Sequence, residues 1–160
     1  MYTSEIYAGI FSMYDIRNRS NPILINSAQT SFDFTHNTWL SDDGNFLFTT
    51  DERANAYVDA FDISDPMDIQ KVDRYRPLDT EGRGVIPHNT HYLNGYLITS
   101  WYTDGFKVID AHRPDNLIEV AKYDTWQGAD GADSPEEGFD GCWGAYPFFN
   151  SGKAPSRSRE

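Results

Sequence analysis

The chain has 160 residues, 39% of them hydrophobic and 15% aromatic, and carries 25 acidic against 13 basic side chains for a formal net charge of −12. So acidic a chain repels phosphate backbones and anionic membranes, which excludes nucleic acid as the expected partner. It contains no run of 18 apolar residues to insert in a membrane, its first ten residues lack the basic-then-apolar pattern of a signal peptide, and its single Cys142 permits no internal disulfide.

Short apolar runs bounded by Gly, Pro, Asn and Asp recur throughout, and no pattern at helical spacing is long enough for a helix. The first complete unit is Ile10–Asp15, an apolar strand ending in Asp, followed by a turn with Asn21-Pro22 and a further strand. The same order returns at Val58–Asp62 with Asp65-Pro66 and at Phe106–Asp110 with Arg113-Pro114, so Asp15, Asp62 and Asp110 stand 47 and 48 residues apart. Each of these aspartates precedes a turn and is expected to cap it by accepting backbone N–H groups. A second marker, His36-Asn37-Thr38, returns as His88-Asn89-Thr90, each copy followed by a glycine turn at Gly44 or Gly95 and then a strand. Asn94-Gly95 has the residues of a tight two-residue hairpin, because both tolerate positive φ.

Four short strands per period of this length describe a β-propeller blade. The expected fold is all-β: a partial β-propeller over residues 1–152, with two complete four-stranded antiparallel blades flanked by incomplete ones. Residues 4–30 supply the later strands of one blade, 34–77 and 85–125 are whole blades, 142–150 is the first strand of the next, and 153–160 is a polar tail. A ring needs roughly four to eight blades, so the chain reads as a piece of a longer protein whose remaining blades are its first partners; closure by oligomerisation is the alternative.

The runs Ser4–Gly9, Phe34–Gly44, Leu47–Glu52, Gly84–His91, Tyr102–Gly105 and Gly141–Phe148 together resemble the bacterial choice-of-anchor B proteins, whose propellers are built from LVIVD-type repeats, and Phe106-Lys-Val-Ile-Asp110 is the closest local match to that repeat core. The resemblance covers residues 4–152 and implies a secreted or surface-attached bacterial protein. From Lys153 onward the sequence departs from the family pattern. The resemblance names no activity.

A candidate site follows from strand order. Loops entering the first strand of a blade and leaving its second gather on one face, which places His36, Asn37, Asp51, Glu52, His88, Asn89, Trp101, Tyr102 and Asp104 on one rim. Three readings remain open for the histidines: scaffold groups where blades meet, contacts to a protein or glycan ligand, or joint ligands of a divalent metal with Asp51 or Asp104 as the carboxylate. His88 and His91 are three apart, so if both lie in one regular strand they point to opposite faces and do not share an ion. Trp39, Trp126 and Trp143 read as packing residues and Trp101 as a loop residue, while Cys142 reads as a small core residue. The acidic loop from Gly128 to Gly138 has the carboxylates for calcium but fits no EF-hand spacing. No cofactor is predicted, and no nucleophile elbow, phosphate loop or zinc-protease helix occurs. The expected function is a binding or scaffold module, with a metal-assisted hydrolase or oxidoreductase at the channel-mouth histidines as the alternative.

Overall fold

The computed structural model describes residues 1–128 and 138–149 together with the strand at 156–159. Among these, four antiparallel sheets follow one another along the chain. The first holds β1 (Tyr2–Glu5), β2 (Ile10–Asp15) and β3 (Ile23–Gln29), with one 3-10 turn over Ile6–Ala8 between β1 and β2. The second is the meander β4 (Thr35–Leu40), β5 (Phe46–Asp51), β6 (Val58–Asp62) and β7 (Gln70–Tyr75); the third repeats it as β8 (Thr90–Leu93), β9 (Tyr96–Ser100), β10 (Phe106–Asp110) and β11 (Ile118–Tyr123). In the fourth, β12 (Gly141–Ala145) pairs with β13 (Ser156–Arg159).

The partial propeller expected from the repeat is therefore present, with two whole blades between incomplete ones. β13 departs from the expected polar tail. An alternating Ser-Arg stretch carries no apolar pattern, yet the edge of β12 offers backbone donors and acceptors that any extended segment can meet. Gly141 lies opposite Arg159 and Ala145 opposite Ser156.

Stacking of the sheets buries two cores. Side chains alternate across a strand, so β5 sends Leu47 to one face and Phe46 and Phe48 to the other. Leu47 joins Phe11, Met13, Phe61 and Ile63 between the first and second sheets. Phe48 joins Val58, Ala60, Val85, Leu97, Trp101, Ile109 and Ala111 between the second and third. Phe11 meets Phe61 edge-on at 4.9 Å, and Phe48 stacks on Tyr92 at 5.5 Å. A sheet covered on both faces explains why β5 begins Phe-Leu-Phe rather than alternating with polar residues. Each such buried side chain contributes about 1.5–3 kcal/mol, several times the net value of a single hydrogen bond, so these two cores hold the sheets together.

The repeat extends to backbone details. A β-bulge interrupts the pairing of the last two strands at Met13/Tyr14, Ala60/Phe61 and Val108/Ile109, the same place in each sheet. The three turn aspartates cap alike: Asp15, Asp62 and Asp110 each accept the N–H two residues on, at 2.9 Å in all three copies. Asn94 and Gly95 have φ of 50° and 85° and join β8 to β9 directly, as their residue types require.

Polar seams join successive sheets. The hydroxyl of Thr50, at the end of β5, donates to the carbonyl of His88, and the hydroxyl of Ser100, at the end of β9, donates to the carbonyl of Trp143 at 3.3 Å. Asn37 Oδ1 accepts the N–H of Thr90 at 3.1 Å. The first two bonds give the His88 and Trp143 carbonyls equivalent places in successive sheets.

Candidate functional site

At the rim where β4, β5 and the entrance to β8 meet, two histidines and a glutamate converge. β4 pairs Thr35 with Asp51 but Asn37 with Thr50, so His36 is the extra residue of a bulge and its side chain is re-aimed off the regular pleat. Its ring lies 4.4 Å from that of His88, centroid to centroid. Glu52, one residue past β5, reaches both: Oε2 is 3.8 Å from His36 Nε2, and Oε1 is 3.4 Å from His88 Nε2. The ligating atoms of all three residues lie within 4.8 Å of one another.

Tyr102 closes the group from the third sheet. It occupies the place in that sheet which Glu52 holds in the second, and its hydroxyl donates to Glu52 Oε1. Its backbone has φ of 42° and is held by two hydrogen bonds to Cys142, of 3.1 and 2.8 Å. His88 is 2% exposed. Its Nδ1 lies 2.5 Å from the carbonyl oxygen of Trp143 and 2.9 Å from the side-chain amide of Asn89. His36, His88, Glu52, Tyr102 and Asn89 thus come together as the strand order predicts.

The other expected rim residues serve the scaffold. Asn37 spends its carbonyl oxygen on the seam to Thr90. Asp51, neighbour of Glu52, points the opposite way into a buried nest where it accepts from the Thr30 hydroxyl at 2.5 Å and from the N–H groups of Phe32 and Phe34 at 2.8 and 3.0 Å. Burial raises its pKa against the pull of those donors. Asp104 accepts from Thr80 and pairs with Lys107, both at 2.8 Å, with the Lys107 side chain almost wholly enclosed. Burial outweighs the lysine and raises the Asp104 carboxyl as well. Breaking so enclosed a pair from one side costs about 3–5 kcal/mol, which marks Asp104 as structural. Neither Asp51 nor Asp104 is the carboxylate facing the histidines; that residue is Glu52.

Trp101 also departs from expectation. A tight turn, with the N–H of Trp101 on the carbonyl of Gly105 at 2.7 Å, carries the indole into the core against Tyr75, where it is fully buried. Trp143 does the reverse: taken as a packing residue, it is 40% exposed and its ring lies 5.4 Å from His88. Sequence position alone marks the strand on which each tryptophan falls, not the turn that aims it. His91, on β8, lies among Trp39, Tyr146 and Phe148; His88 precedes that strand, so the alternation of one strand does not relate the two. Cys142 is buried, which raises its thiol to about 11 and removes it from nucleophilic chemistry. The acidic loop considered for calcium lies, over residues 129–137, outside the described residues.

No family model and no curated protein matches the chain. Solved structures do. A candidate 6-phosphogluconolactonase from Bacteroides fragilis superposes with a TM-score of 0.63 at 16% identity, over 77% of this chain and 36% of its own. A protein from Lactobacillus plantarum superposes with a TM-score of 0.66 at 14% identity, over 98% of this chain and 47% of its own. At these identities the likeness is one of fold, and it is to propeller-like proteins; the chain spans less than half the length of either.

Proposed function

We propose that this chain is part of a secreted or surface-attached bacterial β-propeller, built of LVIVD-type repeats as in choice-of-anchor B proteins, that acts as a binding or scaffold module and engages a protein or glycan at the rim of His36, Glu52, His88, Asn89 and Tyr102. The observation that carries this reading is the convergence of polar groups from two successive blades on one partly open point, beside a bulge in β4 at His36. Bulges are frequent beside binding sites, where they re-aim a side chain, and a few convergent polar groups are what fix a ligand's orientation. The extracellular address rests on the family resemblance.

Glu52→Ala and Asn89→Ala variants, screened beside the wild type on arrays of surface glycans and immobilised surface proteins, test the site. The expected result is at least tenfold weaker binding of a wild-type ligand with little change in melting temperature. Equal binding by both variants moves the site elsewhere. A metal-assisted hydrolase is a second reading, favoured by the His–Glu–His grouping alone; turnover of ester or lactone substrates that disappears in Glu52→Ala would select it.

A further inference from the structure

We propose that His36, Glu52 and His88 form a binding site for a divalent transition-metal ion of the Zn2+ class, with Tyr102 and the backbone carbonyl of Trp143 orienting its ligands. The proposal deepens the rim reading by naming what the rim holds, yet metal affinity is measurable without knowing the rim's larger ligand.

The spacing of the donors is close to that of a coordination shell. Zinc bonds of about 2.0–2.2 Å in tetrahedral geometry put neighbouring ligand atoms roughly 3.3 Å apart. His88 Nε2 to Glu52 Oε1 is 3.4 Å and His36 Nε2 to Glu52 Oε2 is 3.8 Å, and one ligand atom from each of the three residues lies within 4.8 Å of the others, so the donors must draw together to close a shell around an ion.

The protonation pattern points the same way. Two groups meet His88 Nδ1: the Trp143 carbonyl at 2.5 Å, which can only accept, and the Asn89 amide nitrogen at 2.9 Å, which can only donate; the shorter contact favours the hydrogen on Nδ1. Its Nε2 faces Glu52 Oε1 at 3.4 Å, the gap that a shared ion would bridge. Donation of the distal ring N–H to a carbonyl is also the usual second support of a metal-bound histidine, and it fixes the ring and raises its basicity. The Tyr102 hydroxyl on Glu52 Oε1 supports the carboxylate ligand in the same manner. His36 Nδ1 has no such partner among the described residues, so the support is built for His88 and Glu52.

The donor set selects the ion. Calcium and magnesium take six or more oxygen ligands, whereas two imidazoles and one carboxylate suit Zn2+ and its transition-metal neighbours. Three protein ligands leave one position open to water or to an oxygen donor of whatever the rim binds.

Zn2+ itself is the probe, titrated calorimetrically into the whole metal-stripped chain, with Co2+ as a spectroscopic substitute. One ion per chain and the visible bands of low-coordinate Co2+ are expected. His36→Ala and Glu52→Gln, each checked for a wild-type circular dichroism spectrum, should weaken binding at least tenfold, and Tyr102→Phe by about tenfold, the range for loss of an outer-shell partner. Wild-type affinity no greater than that of Glu52→Gln overturns the proposal, as does a His36→Ala variant that binds as tightly as wild type. Metal binding lost in Glu52→Gln while a glycan or protein ligand still binds supports the ion and refutes the rim as the larger ligand's site; ligand binding that fails in Glu52→Ala with no metal bound by wild type overturns the ion alone.

Discussion

His91 sits where charge is penalised. Its ring contacts Trp39 at 4.7 Å, Tyr146 at 5.7 Å and Phe148 at 5.9 Å, and burial lowers its pKa more than the neighbouring Ala145 backbone raises it. A lowered histidine holds its proton less tightly in the folded chain than in the unfolded one, so its contribution to stability is complete above the ordinary value of about 6.5 and is lost as pH falls through the lowered one. Urea midpoints measured between pH 7 and pH 5 should therefore decline more steeply for wild type than for His91→Phe, which keeps the aromatic contacts and removes the titration. Parallel declines would show that His91 does not charge on unfolding. Asp51 and Glu52 make the complementary point: adjacent carboxylates at one strand end meet opposite environments, one a nest of three donors and the other a pair of imidazoles.

Among elements, the capped turn is the unit most directly written in the residues. Asp62 accepts the Ser64 N–H from two positions away, so nothing beyond the local sequence is needed to place the bond. Asp62→Ala should lower stability by about 1 kcal/mol, and Asp62→Asn, whose amide oxygen also accepts, should recover most of it; equal losses in the two would mean that charge rather than the hydrogen bond matters. The same locality made the Asn94-Gly95 hairpin and the four-strand period legible. The bulge at His36 was not legible, because it depends on how Thr35 and Asn37 register against the far end of β5, which residue types at the open end of a hairpin do not specify. For the same reason the residue types could nominate both Asp51 and Glu52 but could not say which faced the histidines. Trp101 was misplaced because a loop assignment carries no information about a turn that folds back onto Tyr75.

At the scale of the molecule, stacking leaves the outer surfaces of the arc with apolar residues in contact with solvent. Ile23 and Leu24 of β3 and Ile118 and Val120 of β11 are each more than half exposed, and Phe148 and Phe149 add aromatic surface after β12. Uncovered apolar faces and strand edges promote pairing between chains. The 160-residue chain by itself should associate with rising concentration in sedimentation experiments and bind an apolar-surface dye; a monodisperse monomer that binds none would contradict this. The seams carry a different implication. Thr50 reaches forward to the carbonyl of His88, and Ser100 reaches forward to that of Trp143. The third unit thus brings a donor for its successor and an acceptor for its predecessor. Duplication of a whole unit of this kind leaves both of its junctions matched. Genes for such proteins can therefore change the size of the ring by whole-unit steps, with each new copy already fitted to both neighbours.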